Sequence, residues 1–200
     1  MNSTYRRHPE KLATSNIPTE SGRFEITAYE SGVPDFPHVV LSNLSLPFPQ
    51  IVNVRIHSEC MTGDVFGSLR CDCGEQLHVS LRHFGEHGGI LVYLRQEGRG
   101  IGLVNKLKAY KLQDEENLDT IKANHALGFH TDERDYAEGI DILREMGVQK
   151  VRLFTNNPDK IAAFEGSGIE VVERVPIEVL TREENAAYIK AKRDFLGHLL

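Results

Sequence analysis

Five consecutive apolar residues, Ile90-Leu91-Val92-Tyr93-Leu94, lie between Gly88-Gly89 and the glycine-rich run that begins at Gly98. A short apolar run bounded by turn residues is the pattern of a strand, and helical patterns flank this one on both sides. Before it, Leu77, Leu81 and Phe84 fall at i, i+4 and i+7, which predicts an amphipathic helix from Cys73 to about Gly88-Gly89. After it, a helix is expected from about Leu103 to Gln113. Tyr136, Ile140 and Leu143 mark a further helix, with Asp135 as its N-cap and Gly147 at its end. A strand then follows at Val151 to Phe154. Asn157 and Pro158 supply a cap and first residue for a short helix ending at Gly168, before a strand over Glu170 to Val175. The last helix is expected from Glu183 to Leu200. The first quarter is strand-rich, with His38 to Leu41 and Ile51 to Ile56 reading as strands. With no repeat or linker in view, the expectation is one α/β unit: a single compact domain with helices packed on a mixed sheet.

Composition narrows the partners. A net charge of −6 leaves no basic field for general nucleic-acid binding, so a polyanionic ligand must be held by a local cluster of cations. No apolar run approaches the ~18 residues that span a bilayer, and the polar start MNSTYRRHPEKLATSN has no signal-peptide core. No membrane partner and a cytoplasmic location are therefore expected.

All three cysteines, Cys60, Cys71 and Cys73, fall within one short segment. An odd number of thiols is a poor disulfide set and a good metal set. Three thiolates with one position left for water is the pattern of a catalytic zinc site, whereas structural sites are closed by four protein ligands. His57 is placed to be that fourth ligand, and the sequence leaves both forms open. Three small buried hydrophobes would be the plain alternative, but Arg70, Asp72 and Gly74 make the surroundings a polar loop.

Three segments suit a nucleotide. Arg95-Gln96-Glu97-Gly98-Arg99-Gly100-Ile101-Gly102 joins a strand to a helix, where glycines let backbone N–H groups approach an anion and arginines add charge. Its G-x-G-x-G spacing differs from the dinucleotide fingerprint. Thr155 to Lys160 forms a second such junction, serving either as a phosphate site or as an ordinary helix cap. Thr131-Asp132-Glu133-Arg134-Asp135 pairs carboxylates with an arginine, which suits either phosphoryl chemistry or capping of the next helix. Arg55 to Glu59 immediately precedes Cys60 and belongs near any metal.

Arg55-Ile56-His57-Ser58-Glu59-Cys60-Met61-Thr62-Gly63-Asp64, Cys71-Asp72-Cys73-Gly74, Arg95-Gln96-Glu97-Gly98-Arg99, Asp132-Glu133-Arg134-Asp135 and Thr155-Asn156-Asn157-Pro158 together closely resemble GTP cyclohydrolase II. The resemblance runs from about Ile17 to Gly197-His198-Leu199-Leu200. It divides the chain into a polar extension, 1–16, and a catalytic domain, 17–200, and lacks the butanone-phosphate synthase half of some relatives, which suggests a monofunctional chain.

The resemblance implies hydrolysis of GTP to formate, diphosphate and 2,5-diamino-6-(5-phosphoribosylamino)pyrimidin-4(3H)-one, the first committed step toward riboflavin. It implies one zinc ion per subunit on Cys60, Cys71 and Cys73, magnesium at the triphosphate, and a homodimer. It assigns GTP contacts to Arg55, Ile56, His57, Ser58, Glu59, Gln76, Glu97, Gly98, Arg99, Thr120, Thr155 and Lys160, with Glu59 or Gln76 suited to guanine and Arg99 and Lys160 to phosphates. Asp132 corresponds to a proton acceptor, Arg134 to a nucleophile toward the α-phosphorus, and Tyr110 to a further catalytic position. Arg134 would equally serve as a charge stabiliser, because a guanidinium is normally protonated. Tyr110 would equally be a core aromatic.

A zinc deaminase would need H-x-E and P-C-x-x-C, which are absent. A non-catalytic guanine-nucleotide binder, or a homologue that stops at the formylated intermediate, would share most of these motifs.

Overall fold

The computed structural model describes residues 8–32, 35–116 and 118–199, apart from the side chains at 187 and 195. Among them, seven strands form one sheet in the order β1-β2-β3-β5-β4-β6-β7. The strands are β1 (Lys11–Thr19), β2 (Gly22–Tyr29), β3 (His38–Ser42), β4 (Val52–Ser58), β5 (Ile90–Leu94), β6 (Lys150–Phe154) and β7 (Glu170–Val175). The helices are α1 (Met61–Asp64), α2 (Cys73–His87), α3 (Gly102–Glu116), α4 (Thr120–Ala126), α5 (Ala137–Glu145), α6 (Pro158–Ala162) and α7 (Glu183–Leu196). A 3-10 turn over Glu97–Gly100 joins β5 to α3. The expected mixed α/β sheet is therefore present. Antiparallel pairing links β1, β2, β3 and β5, and parallel pairing links β5, β4, β6 and β7.

Side-chain alternation divides the core into two layers. On β4 and β5, Val52, Val54, Ile56, Ile90, Val92 and Leu94 pack with Ile140, Ile142 and Leu143 of α5 on one face. On the other face Leu91 meets Phe24, Phe154, and Leu77 and Phe84 of α2. Arg55 and His57, out of phase with the first set, therefore project toward the α2 side. The chain leaves β4 for β5 on one side and leaves β6 for β7 on the other. The carboxyl ends of β4 and β6 thus flank a topological switch point, the crevice where open α/β sheets bind ligands.

Several expected boundaries shift. β1 runs across residue 16, so part of the segment read as an extension is a paired edge strand; residues 1–7 of it lie outside the described residues. Along β1 nearly every side chain is exposed, so no apolar alternation marks it. The N-cap of α5 is Tyr136 and not Asp135, whose carboxylate instead accepts the Ala137 N–H at 2.9 Å. α6 ends at Ala162, well before Gly168. α7 ends at Leu196 because Gly197 takes a left-handed conformation, φ 61°, and Leu200 lies outside the described residues.

Candidate active site

The carboxyl end of β4 carries a buried polar chain. Arg55 donates to Gln76 Oε1 at 2.7 Å, to the Phe154 carbonyl at 3.2 Å and to His57 Nδ1 at 3.1 Å. An acceptor at Nδ1 leaves the His57 proton on Nε2, which points at both Asp64 oxygens, 3.1 Å away. Asp64 also accepts the Cys60 N–H and the Tyr93 hydroxyl, each at 2.9 Å. Burial, more than any neighbouring charge, pushes the His57 imidazole below its ordinary range, so it is neutral. His57 is thus spent on positioning Asp64, and among the described residues the metal-competent group contains only the cysteines.

Those three sulfurs lie within 4.8 Å of one another, with Cys60 and Cys71 Sγ 3.7 Å apart. Two glycines permit the approach. A Cβ on Gly74, in the first turn of α2, would sit 2.2 Å from the Gly63 carbonyl oxygen, and one on Gly63 would sit 2.9 Å from Cys71 Sγ. Thiols this close share their ionisation. Cys60 is held far down, first by hydrogen bonds from Cys71 and Cys73 and then by Lys106, while Cys71 is driven up by Cys60, by Cys73 and by burial. A soft, three-thiolate donor set beside a fixed cation fits a thiophilic metal such as zinc.

Lys106 Nζ donates to Cys60 Sγ at 3.1 Å and to Glu97 at 2.9 Å. Glu97 in turn accepts the N–H groups of Met61 and Gly98, each at 2.6 Å, and so ties the glycine loop to the cysteine loop. Arg99 sits in the left-handed region, φ 61°, a costly conformation for a residue with a Cβ. Both terminal nitrogens of Arg99 are buried without a hydrogen-bond partner. From α3, the stripe Lys106, Ala109, Tyr110 and Gln113 faces the same cavity. Its walls also include Glu59, the cysteines, Thr120 and Arg134.

A second cavity opens on the α2 side at the switch point. Arg55, Arg134, Lys160, Lys192 and His198 line it, and among the described residues no carboxylate does. Ser58, Cys73, Arg134 and Tyr188 form walls of both cavities. Asp132 holds Arg134 through Nε at 2.8 Å and through a second, very short contact at Nη2. Burial alone would raise the Asp132 carboxyl, but Arg134 outweighs it and holds the group low. The pairing in turn raises Arg134 further above its ordinary value, against the effect of burial. Lys160 is pushed well down by burial and then by Arg55, Arg134 and Lys192.

The sequence-derived residues therefore fall into three groups. Ser58, Glu59, Glu97, Gly98, Arg99, Tyr110 and Thr120 surround the cysteines, and Tyr110 faces the cavity instead of the core. Arg55, His57, Gln76, Thr155 and Lys160 line the basic cavity. Ile56 lies in the core, where only its carbonyl meets Lys160 at 2.7 Å, and Asp132 lines neither cavity. Arg99 and Lys160, expected together on phosphates, border different cavities. At the Thr155–Lys160 junction, Asn157 caps Asp159 N–H at 2.9 Å, so Lys160 is the group left to face an anion. Lys106, Tyr188, Lys192 and His198 were not singled out from sequence. Only the i, i+3, i+4, i+7 spacing of Lys106 to Gln113 could have flagged one of them.

A cysteine cluster that could hold a metal ion thus lies at the carboxyl ends of mixed-sheet strands and adjoins a cation-lined cavity, the class of place where open α/β sheets carry ligand sites. The GTP cyclohydrolase II family model matches residues 10–176, and the chain belongs to that family. Riboflavin biosynthesis protein RibBA of Bacillus cytotoxicus is 52% identical over 98% of this chain and 50% of its own length. The same-named protein of Bacillus mycoides is also 52% identical, and one from Bacillus cereus is 51% identical. The chain thus spans about half the length of the curated relatives it matches. A solved structure of RibBX, a two-domain 3,4-dihydroxy-2-butanone 4-phosphate synthase from A. baumannii, overlaps with TM-score 0.44 at 22% identity. It covers 88% of this chain and 42% of that one.

Proposed function

We propose that this chain hydrolyses GTP as a zinc enzyme, opening the imidazole ring of guanine and releasing formate and diphosphate. The observation that carries the reading is the joining of a three-thiolate cluster to a basic cavity through the shared walls Ser58, Cys73, Arg134 and Tyr188. A nucleotide that reacts at its purine while its phosphates are held elsewhere needs that division. Cys60, Cys71 and Cys73 would hold the zinc ion, which supplies the Lewis acidity that makes water a nucleophile at neutral pH.

The chain's own residues do the rest. Glu59, on the cysteine side, is placed for guanine N–H groups, although Arg95 holds one of its oxygens at 2.7 Å. Gln76 has its carbonyl oxygen on Arg55 and its amide on Asp72 at 2.8 Å, so it orders the cavity wall. Arg134, fixed by Asp132, stabilises charge on the α-phosphoryl group; its raised pKa makes it a poor nucleophile. Asp132 is then a positioning residue. Magnesium would be carried in by the triphosphate as its counter-ion, since among the described residues no carboxylate lines the basic cavity. We also take the chain to be a cytoplasmic homodimer; among the described residues no helix is long and apolar enough to cross a membrane. Sedimentation equilibrium tests the dimer.

Zinc-replete protein incubated with GTP and magnesium should release formate and diphosphate in equal amounts, with the pyrimidine product appearing in absorbance. Diphosphate without formate would mean that ring opening stops early, and absence of both would overturn the hydrolase reading. The Cys71→Ser variant should lose zinc and formate release together.

A further inference from the structure

The family model ends at residue 176, yet α7 and the turn after it form one wall of the basic cavity. Three contacts seat this segment. Lys192 forms a buried ion pair with Asp72, between two of the cysteines. Arg182 reaches Glu75 at 2.8 Å, and the Leu199 N–H donates to the Asn156 carbonyl at 2.9 Å. The last contact fixes His198 over the cavity. Both of its ring nitrogens are buried, and neither has a hydrogen-bond partner.

The neighbours of His198 explain what it waits for. Arg55, Arg134 and Lys192 each have an internal partner, in Gln76, Asp132 and Asp72. Among the described residues, Lys160 has a backbone carbonyl as its hydrogen-bond partner and the Tyr136 ring 5.3 Å away. Buried polar groups are normally paired, and the His198 nitrogens and the cavity-facing donors of Lys160 lack a side-chain acceptor among the described residues, which an anion would supply. One ammonium hydrogen bond of Lys192 goes to Asp72, which leaves further donors on the cavity side.

We propose that Lys192 and His198, delivered by the C-terminal helix, bind the polyphosphate chain of the nucleotide alongside Lys160 and Arg134. The inference rests on the nucleotide reading of the site and extends it to a segment beyond the matched family model. α7 then acts as a substrate-binding element, with Lys192 serving both the metal loop and the ligand.

The test uses the full chain and inorganic tripolyphosphate as probe, titrated by calorimetry without magnesium. His198→Asn should weaken tripolyphosphate binding roughly tenfold or more, in keeping with loss of one hydrogen bond to a charged group. The same variant should raise KM for GTP by a similar factor while kcat for formate release changes little. Lys192→Arg should keep tripolyphosphate affinity within a few-fold, and Lys192→Met should lose it. Unchanged affinity in both His198→Asn and Lys192→Met would overturn the proposal. So would a loss that merely tracks a lowered melting temperature, since α7 would then serve only the fold. Failure of the unaltered chain to release formate would sink the hydrolase reading, while tripolyphosphate titration would still decide whether α7 binds phosphate.

Discussion

Lys106 stands 3.1 Å from Cys60 Sγ and 2.9 Å from Glu97, so a single ammonium stabilises a thiolate and anchors the glycine loop. Groups that orient or charge-balance metal ligands are typically worth about 10–100-fold in metal affinity or activity. Lys106→Met should therefore weaken zinc binding by about that factor, as read by competition with a chromophoric chelator. At Arg134 the expected effect is on turnover: Arg134→Gln should lower kcat by about 10²–10³, the scale of losing one charge-stabilising group. A variant with full formate release would refute that role. The imidazoles set an acid limit. His57 and His198 both have folded-state pKa values below the ordinary 6.5, His198 at about 3. Below pH about 6.5 the unfolded chain therefore binds more protons than the native one, and stability falls as pH drops; above it these groups contribute no slope. His198→Asn should flatten part of that acid loss in melting experiments on the ligand-free protein.

Among the elements, α2 bears the most constraint. It supplies Cys73 and Gln76 to the site and Leu77 and Phe84 to the core, and its far end presses on the β1–β2 turn. A Cβ at Gly85 would lie 1.5 Å from the Ser21 carbonyl oxygen, so helix and hairpin touch backbone to backbone. Gly85→Ala should destabilise the fold by about 1–3 kcal/mol, and each kcal/mol should lower the melting temperature by about 2–4 °C. An unshifted melt would mean that the turn yields freely. The same elements show what sequence can reveal. β5 matched its expected span because an apolar run between turn residues encodes burial locally, whereas β7 matched on its β-branched valines after a glycine although none of its residues is buried. β1 was missed because an exposed edge strand has no buried face to mark it. α3 was found, but the meaning of its Lys106–Gln113 stripe was not, since polar residues at helical spacing read as solvent-facing until a cavity is seen beside them.

At the scale of the whole molecule, the site joins pieces far apart in sequence. The cysteines and the motif residues were legible because each sits in a short local pattern. Lys192 and His198 were not, because the Lys192–Asp72 pair spans 120 residues and neither residue belongs to a motif. The cation-lined cavity has a further consequence for the molecule's survival. Repulsion among Arg55, Arg134, Lys160 and Lys192 opposes folding of the empty form, so whatever neutralises them adds to native stability. A ligand at a hundredfold excess over its dissociation constant contributes about 2.7 kcal/mol in this way. Tripolyphosphate should accordingly lengthen the half-life of the chain under mild proteolysis, and Lys160→Met should reduce that protection while making the empty form more resistant. If both hold, the lifetime of this protein is tied to the abundance of the polyanion that fills the cavity, and its depletion marks the empty copies for removal.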